Sequence, residues 1–139
     1  MIAGITFEHS IIGIEGDYCI AASKIKNCNF YNCDYGIKAD PIQIVTISGC
    51  RFSHGKFGIR GRDGGRFLTP RPGQKGPRRN RSNLVNIYDC TFGFFSEYAI
   101  QIEGSPVNIR DCDFEANTGG AIQLFDIYVS NIVCLISRT

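Results

Sequence analysis

The chain has 139 residues, with 15 Lys or Arg against 13 Asp or Glu, 16 glycines, seven cysteines and no tryptophan. That is one domain's worth of polypeptide. It holds no run of about 18 apolar residues, so no membrane span is expected. Its opening, MIAGITFEHS, lacks a basic segment followed by a long apolar one, so cytoplasmic synthesis without a signal peptide is expected.

Taken in chain order, the predicted elements are short strands that recur. Ile5 and Phe7 open the series, and Cys28 and Phe30 repeat it as a Cys-x-Phe pair. The pair returns at Cys50/Phe52, Cys90/Phe92 and Cys112/Phe114, with Cys134 and Ile136 as a last partial copy in which Ile132 falls out of step. Cys28 to Cys50 is 22 residues, Cys90 to Cys112 is 22 again, and the 40 between Cys50 and Cys90 leave an insertion of 18. A second apolar line follows each pair: Ile14, Ile37, Ile59, Ile100 and Ile122. A third precedes it: Ile25, Ile47, Ile87 and Ile109. Within a unit the apolar period is two, as in VNIRDCDF, which is strand alternation.

Three short strands in 22 residues cannot pair with each other. They can pair in parallel with the same strands of the next unit, about 4.8 Å away. Cys, Phe and Ile would then each ladder on the inner wall of a coil, and stacking would bury what one coil alone could not. A reduced cysteine suits such a wall as a small buried hydrophobe. The count of seven is odd and Cys-x-x-Cys is absent, so neither a disulfide framework nor a zinc site is expected. No cofactor is implied.

This pattern, Ile-x-x-Cys-x-Phe followed by Gly-Ile or Ala-Ile, resembles the right-handed parallel β-helix of pectate lyases and phage tailspikes. The resemblance implies an all-β solenoid of about five coils over residues 1–139, as a single domain. It specifies fold far better than function. The two ends of so short a solenoid would be open sheet edges. A homo-oligomer, in the first place a trimer, or partner chains are expected to cover them.

Between the third and fourth coils lies RGRDGGRFLTPRPGQKGPRRNRSN, with three prolines and five glycines. Residues 61–83 read as an extruded basic loop. From Lys56 to Arg81 there are nine basic residues and one acid, Asp63; the rest of the chain has six basic and twelve acidic residues. Arg62, Arg66, Arg71, Lys75, Arg78, Arg79 and Arg81 are the candidate anion-binding residues. An acidic glycan, a small anion, nucleic acid or a neighbouring copy could be the partner. Nucleic acid is not favoured, because Phe67 is the only aromatic there to stack on a base.

Outward positions ladder as well. Asp89, Asp111, Asp113 and Glu115 are the candidate catalytic residues, since paired carboxylates serve glycoside hydrolysis; turn and surface roles compete for the same residues. His9 and His54 share a phase two coils apart, too distant to ligate one metal. Tyr31, Tyr35, Phe57, Phe94 and Tyr98 fall around the turn between the Phe and Ile lines, as candidate ligand-binding aromatics.

Three functions follow as expectations. The first is a virion structural or host-attachment protein, tailspike-like, binding surface glycan or partner virion chains. The second is a glycan-cleaving enzyme, a polysaccharide lyase or glycoside hydrolase. The third is an intracellular anion- or nucleic-acid-binding protein using the basic loop.

Overall fold

Each strand of the repeat pairs in parallel with its counterpart one repeat away, in the register the sequence period dictates. A computed structural model describes residues 1–16, 23–39, 44–61, 67–68, 78–79, 85–103, 107–125 and 130–135. The first coil consists of β1 (Ile2–Ala3), β2 (Thr6–Glu8) and β3 (Ile12–Gly16), the second of β4 (Ser23–Lys26), β5 (Asn29–Tyr31) and β6 (Tyr35–Ala39). The third holds β7 (Ile44–Ser48) and β8 (Arg51–Gly61), where the chain turns a corner without leaving extended structure. A small antiparallel pair, β9 (Phe67–Leu68) with β10 (Arg78–Arg79), precedes the fourth coil, β11 (Val85–Tyr88) and β12 (Thr91–Glu103). β13 (Val107–Glu115) and β14 (Ile122–Phe125) form the fifth, and β15 (Ser130–Leu135) starts another. Among the described residues there is no helix.

Three faces result. The first stacks β1, β4, β7, β11, the start of β13 and β15, with Ile25, Ile47, Ile87, Ile109 and Ile132 in register. That last step slips between Arg110 and Asp113, where Ile132 was out of phase in the sequence. The second face aligns Phe7, Phe30, Phe52, Phe92 and Phe114, five rungs across four rises. The third aligns Ile14, Ile37, Ile59, Ile100 and Ile122.

The interior is made of these columns. Successive phenyl rings stack at 5.0, 4.6, 4.8 and 5.1 Å with planes within 9° of parallel. Each fully buried ring contributes roughly 1.5–3 kcal/mol of transfer free energy. Cys28, Cys33, Cys50, Cys90 and Cys112 are free and buried. Their thiols donate to carbonyls two residues back and in the preceding coil: Cys90 Sγ reaches Tyr88 O at 3.2 Å and Ile47 O at 3.7 Å. Hydrogen bonding to Cys112 and Cys50, with burial, pushes the Cys90 thiol well above the ordinary range; its two neighbours are drawn the other way.

The two corners between faces are single left-handed residues. Gly4, Asn27, Gly49, Asp89 and Asp111 make the first, with φ between 51° and 69°. His9, Asn32, His54, Phe94 and Ala116 make the second, with φ between 52° and 64°. Glycine, asparagine and aspartate tolerate this region best, which accounts for the first series. Phe95 follows its corner directly and turns inward, filling the core at the level of Gly55. Asn117 takes the same place one coil on and ties the corner: its Oδ1 accepts from Phe95 N at 3.1 Å and its Nδ2 donates to Phe92 O at 3.3 Å. In the second coil that place belongs to Cys33.

Candidate functional site

On the outer side of the second face the strands present two columns across the last three coils: Arg51, Thr91, Asp113 and Ser53, Gly93, Glu115. Strand alternation points them outward, since Phe52, Phe92 and Phe114 between them point in. Gly93 interrupts its column. A Cβ built there would meet only Glu115 O, at 3.4 Å, and its φ is not in the left-handed region. Neither steric crowding nor backbone conformation therefore requires glycine at 93. The missing side chain floors an open cleft of about 180 Å³, walled by Arg51, Asp113, Glu115 and Phe94.

Phe94 is the unusual wall. It is 50 % exposed, and it sits at φ 64°, a conformation that is an outlier for a bulky residue. Its ring stacks on His54 at 4.7 Å, His54 lies 5.3 Å from Tyr31, and Tyr31 lies 5.7 Å from His9. Asn32 Nδ2 meets His9 Nδ1 at 2.9 Å. An exposed ring column thus runs down from the cleft over four coils. A strained, exposed phenyl beside an open floor marks this cleft as the candidate site.

The sequence-predicted residues separate into groups. Asp113 and Glu115 line the cleft, two apart on one strand. Asp89 and Asp111 are first-corner residues, exposed and away from the cleft lining, equivalent in position to Asn27 and Gly49. Arg110, one residue before Asp111, lies over the Tyr88 ring at 4.6 Å. The five aromatics divide as well. Tyr31 and Phe94 belong to the cleft and its column, whereas Tyr35, Phe57 and Tyr98 align on the third face. Arg62, Arg66, Arg71, Lys75 and Arg81 lie outside the described residues, and Arg78 and Arg79 are placed only as backbone in the β9–β10 pair. Sequence reasoning missed Arg51, Ser53 and Gly93. The available signal was a glycine in an outward phase with no turn to make.

Among the described residues no group of three His, Cys, Asp or Glu side chains is placed to hold a metal ion. A family model described as a right-handed β-helix region matches residues 4–133. The chain belongs to the right-handed β-helix family. Neither a search of curated proteins nor one of solved structures found a match. Membership in a β-helix repeat family fixes the scaffold, so the function of this β-helix must be argued from its outer surface.

Proposed function

We propose that this β-helix is a virion structural or host-attachment protein that holds a surface glycan chain across the outer side of its second face. The observation that carries the reading is the Gly93-floored cleft, where an aromatic ring, a guanidinium and two carboxylates surround an open floor. A sugar ring offers an apolar face to an aromatic and hydroxyls to charged acceptors and donors. A volume of about 180 Å³ is below the roughly 300–1,000 Å³ of pockets that enclose a free small molecule. It suits one ring of a longer chain, with neighbouring rings lying along the His9–Tyr31–His54–Phe94 column. The virion assignment draws on the likeness of the repeat to tailspikes.

Titration of the full chain against bacterial-surface and host-cell glycans tests the reading. The expected result is a bound glycan whose affinity falls at least about tenfold in Gly93→Leu, which fills the floor. A Gly93→Leu protein that binds every glycan as wild type does sinks the site.

A second reading is favoured by the pairing of Asp113 and Glu115. Residues two apart on a strand project to one side, so both carboxylates face the one cleft, as a pair in glycoside hydrolysis must. Under this reading the cleft cleaves what it binds. Release of new reducing ends that stops in both Asp113→Asn and Glu115→Gln would establish it; binding without release would leave attachment alone.

A further inference from the structure

The outer side of the third face carries a second column that the cleft does not use: Glu15, Lys38, Arg60, Gln101 and Gln123, one residue per coil in strict register. Lys38 and Arg60 are direct cross-strand neighbours. Like charges so placed oppose folding, and burial is partial at both. The cations are held in place by aromatic rings. Lys38 Nζ lies 4.9 Å from the centre of the Tyr35 ring, and the Arg60 guanidinium lies 5.9 Å from Tyr35 and 5.2 Å from Phe57. Arg60 also donates to the Tyr35 hydroxyl at 3.4 Å. Next along the column, Gln101 Nε2 donates to Gln123 Oε1 at 2.5 Å and Gln123 Nε2 to the Tyr98 hydroxyl at 3.2 Å. The face therefore sets two fixed cations, Lys38 with Glu15 on its other side and Arg60 with Gln101 on its other side, beside a patch of amide and phenol groups. Past Gly61, one residue beyond Arg60, the sequence from 62 to 84 holds seven Arg or Lys and one Asp.

From this we infer that the third face is a separate binding surface for an acidic polysaccharide, with Lys38 and Arg60 taking its carboxylate or sulfate groups and Tyr98, Gln101 and Gln123 meeting its hydroxyls. The inference deepens the glycan-binding reading and rests on it for the polymer class. An anion lying between Lys38 and Arg60 would relieve the repulsion that their register imposes. Nucleic acid is the poorer fit: Tyr35 and Phe57 have their faces taken by the cations and Phe57 is buried, so neither of these rings is open to a base. A polysaccharide needs charges and hydroxyl partners side by side, which this column supplies.

The test uses the full chain and four probes: hyaluronate for carboxylate, dextran sulfate for sulfate, neutral dextran, and double-stranded DNA. Wild type should bind hyaluronate or dextran sulfate, neutral dextran far less, and DNA more weakly than the acidic glycan. The Lys38→Gln/Arg60→Gln double variant should lose at least about tenfold in affinity at low salt and, for the densely charged dextran sulfate, reduce the slope of log affinity against log salt by about two, one for each cation removed. Arg60→Lys should keep the slope, and Gly93→Leu should leave this binding intact. The inference is overturned if wild type binds neither acidic glycan, if the double variant binds as wild type does, or if DNA binds tighter than both glycans. Failure of the cleft reading shows elsewhere, as indifference to Gly93→Leu.

Discussion

Phe94→Asn separates a ligand-contacting ring from a structural one. At φ 64° a phenylalanine is held in a region that costs roughly 1–2 kcal/mol for an ordinary L-residue, whereas asparagine, which occupies this corner at Asn32 with φ 54°, visits it readily. The substitution relieves about 1 kcal/mol of that strain. Against this it loses the stack on His54, whose centroid is 4.7 Å away and which is worth about 0.5–1.5 kcal/mol. Half of the ring is already in water, so little transfer free energy is lost. The terms nearly cancel. Phe94→Asn should unfold in urea within about 1 kcal/mol of wild type, while its affinity for the cleft's glycan falls at least about tenfold. Phe92→Ala, two residues earlier and pointing inward, should cost about 3–5 kcal/mol. A Phe94→Asn protein destabilised by more than about 2 kcal/mol would make the ring a plug for the corner and would refute the reasoning.

Other outcomes follow from the same coordinates. Phe52→Ala should cost more than Phe7→Ala, because Phe52 is stacked on both sides and fully buried, while Phe7 has one ring neighbour and is half-buried; paired denaturation curves give the order. Asp111→Asn should leave stability and glycan binding unchanged, whereas Asp111→Val, β-branched at φ 54°, should cost about 1–2 kcal/mol. The Cys90 thiol is raised above its ordinary 9.0, so above that pH the unfolded chain releases a proton that the folded chain keeps. The folded state then binds more protons, and stability falls by about 1.4 kcal/mol per pH unit. Above about pH 9 the Cys50 and Cys112 thiols, drawn the other way, are ionised folded and unfolded alike, so unfolding measured from there to about pH 10.5 should show that loss in wild type and a shallower one in Cys90→Ala.

The inner wall was legible because it repeats. The Cys, Phe and Ile phases recur at 22 residues and alternate with period two, and the register follows them through Phe7, Phe30, Phe52, Phe92 and Phe114. The corners were half legible. Asn27, Gly49, Asp89 and Asp111 occupy one phase, and that mixture of residues is the signature of a left-handed bend. Read singly, the two aspartates look like chemistry; read as a column, they are turns. The aromatics divide between two faces. Phe57 and Phe94 sit within a few residues of a corner, and a single corner residue decides which face a ring joins.

The outer surface resisted for a physical reason. A solenoid is stabilised by what each rung shares with the next, so the inward columns are driven toward uniformity and announce themselves. Outward columns are free of that demand. The column Glu8, Tyr31, Ser53, Gly93, Glu115 has no common chemistry, and no pattern search finds it. Its information lies in its departures: a glycine that neither crowding nor φ requires, next to a phenylalanine held where glycine belongs. The Lys38–Arg60 step is a departure of the same kind, two like charges aligned where a neutral pair would fold better. In a β-helix, places where the rungs ignore what stacking favours are the places to look for a ligand.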